Sequence, residues 1–181
     1  MLTGTETASG PTVEEADFVA FMGVLPPRAH LRVAEFVNGT PELNPERVAR
    51  AETVYERVTG HSPHVTLHRR EAGDARAAGD RPAGSMDGIW YGRQPSFSRP
   101  EDARAALRAF HRELVPHGGL FLDTGRFDWS GSDSLEEFLV QNCFQPLRVH
   151  QDRARVRVLA IQRWRCCGDG LRNIYDSHAI S

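Results

Sequence analysis

The chain of 181 residues is long enough for one domain with a sizeable core, and its 40% hydrophobic and 25% charged residues are ordinary for a globular protein. A formal charge of −2 provides no field that would gather nucleic acid, and all 22 basic residues are arginines, so lysine Schiff-base chemistry and the lysine of a P-loop are excluded. No apolar run approaches the ~18 residues of a membrane span. Cys143, Cys166 and Cys167 make no disulfide framework, because an adjacent pair cannot easily bridge and an odd cysteine is left over. A reducing cytoplasm is the expected compartment.

Residues 1–11 are polar and read as a flexible tail, 12–165 as a single domain, and 166–181 as a second tail. In the segment from Thr12 to Val24, Ala16, Val19 and Ala20 recur at helical spacing, with Glu14, Glu15 and Asp17 favouring the first turn. Leu25-Pro26-Pro27 ends this helix, and His30 to Val37 reads as a buried strand. Asn44-Pro45 opens a second helix, whose face is Val48, Ala51, Val54, Tyr55 and Val58 and whose stop is Gly60. Val65 and Leu67 alternate with polar neighbours as in a strand, 73–85 is a Gly- and Pro-containing loop, and Met86 to Tyr91 is a short apolar strand.

Ser98-Arg99-Pro100-Glu101 has the form of a capping box, followed by a stripe of Ala103, Leu107, Phe110 and Leu114. Leu120-Phe121-Leu122 is a fully apolar strand, and Ser134-Leu135-Glu136-Glu137 is a second capping box. Leu147–Val149 and Val156–Ile161 read as a terminal antiparallel hairpin. Helices alternating with strands predict an α/β fold with a mainly parallel sheet, covered on both faces and closed by that hairpin. Ligands of such sheets bind beyond the carboxyl ends of the strands, here the loops after Val37, Arg70, Tyr91 and Asp123.

Met86-Asp87-Gly88-Ile89-Trp90-Tyr91, a polar loop, a helix, and Leu114-Val115-Pro116-His117-Gly118-Gly119-Leu120 resemble the second half of a class I S-adenosylmethionine methyltransferase. In that family an "FD" strand precedes the active-site loop and a helix ends in "L-x-P-G-G"; here His117 splits the Pro-Gly-Gly. The stretch Leu31 to Pro41 is similar to the family's first strand and its acidic-x-G-x-G-x-G cofactor loop. The resemblance places Glu35 at the acidic position and Gly39 at the middle glycine, with Asn38 beside it, while Val37 and Pro41 replace the outer glycines. A branched side chain and a proline there crowd a backbone that must lie bare against a cofactor. An alternative register makes Leu31–Val37 the second strand, with Glu35 or Glu42 as the ribose carboxylate.

Asp74 falls where the family's adenine-contacting acid sits. One helix–strand pair, and with it the ribose carboxylate, is expected to be missing. Tyr91, Arg93 and Gln94 follow the strand whose loop faces substrate in this family, and Asp123 at a buried strand tip is a candidate acid–base group. His61, His64 and His68 lack a cysteine or carboxylate partner nearby, so no metal site is expected. The reading is a Rossmann-like, small-molecule enzyme, with catalytic candidates Tyr91, Arg93, Gln94 and Asp123 and cofactor-site candidates Glu35, Asn38, Gly39 and Asp74. It points to a cofactor-independent cyclisation, isomerisation or elimination. The alternatives are methyl transfer with S-adenosylmethionine, if the loop still works, and a non-catalytic subunit that uses the open sheet edge for homodimerisation or for a partner enzyme.

Overall fold

The computed structural model describes residues 12–38, 44–71, 82–129, 132 and 134–163. Among the described residues, four helices and six strands follow largely the order the pattern predicts. Helix α1 is Val13–Val24, capped by Thr12, whose hydroxyl accepts from the Glu15 N–H. Strand β1 is His30–Val37 and helix α2 is Pro45–Thr59, with Asn44 as cap, Pro45 in the first turn and left-handed Gly60 at its end. Strand β2 is His64–Glu71 and strand β3 is Met86–Gln94, three residues longer than its apolar run. Helix α3 is Pro100–Glu113; its cap is Arg99, which makes no side-chain cap bond, so the capping box expected at Ser98 does not form and proline alone sets the helix start. Strand β4 is Leu114–Gly125, α4 is Leu135–Gln141 with Ser134 as a true cap, and β5 and β6 are Phe144–Gln151 and Arg155–Gln162.

The sheet order is β2-β1-β3-β4-β6-β5, parallel through β4 and antiparallel beyond it. From β1 the chain steps outward to β2, then returns to the other side of β1 as β3. The β1/β3 boundary is therefore a topological switch point, where the two carboxyl ends diverge and leave a crevice. Strand β1 lies between β2 and β3, the place of the first strand in doubly wound order. Strand β2 follows α2 and pairs in parallel with β1, ending with Glu71 opposite Val37, so a carboxylate does stand at the second strand's tip. Among the described residues nothing pairs outside β2.

Alternation along the strands builds two cores. Under α3 and α4 lie Phe36, Ile89, Tyr91, Leu120, Leu122, Phe110 and Phe138. Under α1 and α2 lie Leu31, Val33, Trp90, Phe121, Phe18, Phe21 and Tyr55. Gly119, from the split Pro-Gly-Gly, serves packing: a Cβ there would come within 2.8 Å of Leu25 at the end of α1. Buried Arg70 of β2 grips Glu113 at the end of α3 with both Nη atoms, one at 2.9 Å. Asp87 is fully buried and accepts the Arg32 N–H at 2.8 Å, joining β3 to β1 at their amino ends.

The cysteine reading needs correction. Cys143, in a left-handed turn with φ 69°, is disulfide-bonded. Its only candidate partners in the chain, Cys166 and Cys167, lie outside the described residues. The Cys143 carbonyl accepts from the Arg163 N–H at 3.0 Å, which ties the end of β6 to that turn. Cysteine usage therefore does not argue for a reducing compartment. Among the described residues no helix is long and apolar enough to cross a membrane.

Candidate active site

The crevice at the switch point is a cleft of about 320 Å³, lined among others by Glu14, Glu35, Asn38, Arg47, Trp90 and Asp123. Glu14, Arg93 and Asp123 also border an adjoining hollow of about 350 Å³, closed by Asp152, Arg155 and Arg157. Strand alternation decides which neighbours reach the cleft. Trp90 points to the α1/α2 face and forms part of the wall, stacked on Phe121 with ring centres 4.0 Å apart. Tyr91, the next residue, points to the other face and is buried against Phe36, Phe97 and Phe110. The structure thus keeps Tyr91, expected as a catalytic group, out of the cleft.

Arg93 does reach the cleft. It adopts a left-handed backbone with φ 55°, which most side chains avoid, and its guanidinium lies 2.6 Å from Glu14 at the start of α1. Two side chains hold that conformation. Asn38 donates to the Arg93 carbonyl at 3.0 Å across the switch point. Gln94, buried, donates to the Phe36 carbonyl at 3.0 Å and to the Gly92 carbonyl at 2.8 Å, which ties the diverging ends of β1 and β3 together. Gln94 is thereby a clamp and not a reacting group. Asp123 stands at the cleft margin with Arg155 Nε 2.8 Å from Oδ1. In the adjoining hollow the Asp152 carboxyl is held below its usual range, chiefly by the Ala154 N–H and then by that of Arg155.

Glu35, expected at a cofactor, is already engaged. Oε1 lies 2.9 Å from Arg47 Nε and Oε2 lies 3.2 Å from Arg69 Nε. The Arg47 guanidinium is further held 4.1 Å above the Phe18 ring. Sequence reasoning missed Arg47, Arg69, Glu14 and Arg155, and no local pattern links an arginine on the third residue of one helix to a strand glutamate twelve positions earlier. Gly39 and Asp74 lie outside the described residues. His64 is spent structurally, 3.4 Å from Glu52 and edge-on to His30.

As a set, these residues do not fit S-adenosylmethionine in the manner the resemblance implies. Glu71 stands at the strand tip suited to ribose hydroxyls. Glu35, however, would have to leave two guanidiniums, and the Val37 side chain borders the cleft where a glycine is expected.

No protein-family model and no curated protein matches the chain. Solved structures do. The fold is similar to that of the cyclase SpnF, at 15% identity over 88% of this chain and 84% of that one, with a TM-score of 0.49. It is also similar to a SAM-dependent methyltransferase from Methanosarcina mazei, at 11% identity over 76% and 94% of the two chains, TM-score 0.47. A third is the 1,6-didemethyltoxoflavin-N1-methyltransferase of Burkholderia thailandensis, solved with 1,6-didemethyltoxoflavin and S-adenosylhomocysteine. It shares 13% identity over 83% and 80%, with a TM-score of 0.45. Activity does not travel at such identities, and the site must be argued from its own side chains.

Proposed function

We propose that the protein is a small-molecule enzyme on a methyltransferase-like scaffold that works without S-adenosylmethionine, catalysing a cyclisation, isomerisation or elimination. The observation that carries this reading is the Arg47–Glu35–Arg69 cluster, which takes both oxygens of the acidic residue at the end of β1. Breaking both bonds to admit a cofactor would cost about 1–2 kcal/mol in all, with solvent screening the two arginines, before any binding is gained. The chemistry falls to Arg93 and Asp123 on neighbouring strand ends, held by Glu14 and Arg155 respectively. An Arg93 guanidinium donates to a substrate carbonyl oxygen and stabilises negative charge developing there. The Asp123 carboxylate accepts a proton from the adjacent carbon and returns it elsewhere in an isomerisation, or keeps it while a leaving group departs in an elimination. Arg155 holds that carboxylate in place.

Titration calorimetry with S-adenosylmethionine tests the reading, with no heat and no rise in Tm expected at millimolar ligand. A saturable isotherm overturns it, because occupancy at a hundredfold excess over Kd adds about 2.7 kcal/mol of stability. Methyl transfer is the second reading, and Glu71 at the tip of β2 is the observation that favours it.

A further inference from the structure

The α1 side of the sheet stays exposed over β5. Strand β6 turns Leu159 toward that side, in the core under α1 with Phe121, and β5 lies beyond it with Arg148 paired to Leu159 and His150 to Arg157. Arg148 and His150 are both exposed. The register of β5 shifts between Pro146 and Arg148, so Leu147 and Arg148 both stand opposite Leu159, and Leu147 is 51% exposed. Between this stretch and α1 lies a hollow of about 200 Å³, lined by Phe121 and Leu159, by Asp17 and Ala20 of α1, and by Arg148, His150 and Arg157.

Charge in the lining of this hollow is unbalanced. Arg148 and Arg157 face Asp17, whose carboxylate lies 3.1 Å from Arg157 Nη1 and 3.9 Å from Arg148 Nη1. Arg148 therefore shares a carboxylate that Arg157 already engages. Asp152, in the turn beyond, acts electrostatically on His150 and Arg157, but its Oδ1 is spent on the Ala154 and Arg155 N–H groups. An exposed leucine beside a half-paired arginine is a surface suited to an apolar segment that carries an acid.

The same chain contains such a segment. Residues 168–181 carry Leu171, Ile174 and Tyr175 at i, i+3 and i+4, with Asp176 directly after them, and they hold Asp169 and Asp176 against Arg172 alone. Arg163 is fixed by its N–H to the Cys143 carbonyl, so the chain leaves β6 beside the start of β5. Reach is ample. From Gln162 back to Arg157 along β6 is about 17 Å, whereas the chain from Arg163 to Ile174 can extend over about 36–40 Å. We propose that segment 168–181 docks on the α1-side face of β5 and β6 in its own chain. It lays Leu171, Ile174 and Tyr175 over Leu147 and the hollow, and brings Asp176 to Arg148. Asp17 and Arg157 also border the hollow next to Asp123, so the docked segment adjoins the candidate active site. The proposal is independent of the reaction assigned to that site.

Hydrogen exchange of the full chain tests it. The amides of 171–176 should exchange about tenfold or more slowly than in a free peptide of the same sequence. Arg148→Asp, at an exposed position, should reduce that protection about fivefold, the scale of a surface ion pair, and Asp176→Arg should do the same. The two swaps together rebuild the pair with its signs reversed and should restore the protection. Leu171→Asp with Ile174→Asp should abolish it while the amides of β4 keep theirs, which shows the sheet intact. Exchange of 171–176 at the free-peptide rate in the wild type overturns the proposal, and so does a double swap that recovers nothing. Protection that fades on dilution, with a dimer in sedimentation, overturns it in favour of a second copy on this face.

Discussion

The two faces of the sheet solve the same problem in different ways. Beneath α3 and α4 the packing is aromatic, and a buried ion pair, Arg70 with Glu113, joins a strand to a helix. Beneath α1 and α2 the core carries charge to its rim, where Glu35 sits between two arginines that remain partly open to water. Adjacent residues divide between these environments: Tyr91 enters the aromatic face and Trp90 the cleft. The closed face supplies stability, and the open face keeps polar groups that a ligand can reach.

The largest effect that could break this contrast is Glu113→Ala. It leaves the Arg70 guanidinium buried without a counter-charge, and should cost about 3–5 kcal/mol in urea denaturation. Replacing the pair together, Arg70→Met with Glu113→Leu, should recover most of that loss, because the desolvation cost disappears with the charges. Removing the corresponding acid on the open face, Glu35→Ala, should cost only about 1–2 kcal/mol, since solvent screens Arg47 and Arg69. Equal losses in Glu113→Ala and Glu35→Ala would erase the distinction.

Arg93→Gly sharpens the comparison from the functional side. Glycine accepts the left-handed backbone that Arg93 strains to adopt, so folding stability should hold or rise by roughly 0.5–1 kcal/mol. Turnover should nevertheless fall about 10²–10³-fold with the loss of a donor to developing charge. A variant that is less stable and fully active would remove Arg93 from the site.

Much of the scaffold was legible in the chain. The caps at Thr12, Asn44 and Ser134 and the Gly60 stop are local chemistry, and the alternation of helices with strands dictated a parallel sheet. The site was legible only in part, because its geometry depends on which face a residue takes and on partners remote in sequence. Tyr91, Arg93 and Gln94 look alike as polar loop residues. A strand end and a left-handed turn send the first inward, the second outward and the third across to Phe36. Arg70 and Glu113 stand 43 residues apart, a separation no local pattern bridges.

The smallest expected effect concerns the turn between β5 and β6, where acidity reaches the site through the backbone. Asp152 accepts from the Ala154 N–H at 2.7 Å and from the Arg155 N–H at 2.8 Å, and these bonds hold its carboxyl below the ordinary value of 3.8. A carboxyl depressed by folding stabilises the native state above its unfolded value, and that contribution drains away as pH falls through the folded one. Asp152→Asn keeps an accepting oxygen without the charge. The wild type should therefore exceed this variant in stability by a small constant margin above about pH 5, and the margin should close once the pH drops below 3.8. A margin that persists to pH 2 would show the bonds to be indifferent to charge. Because the same turn sets Arg155, whose guanidinium holds Asp123, loss of activity on acidification should track the closing margin and not global unfolding.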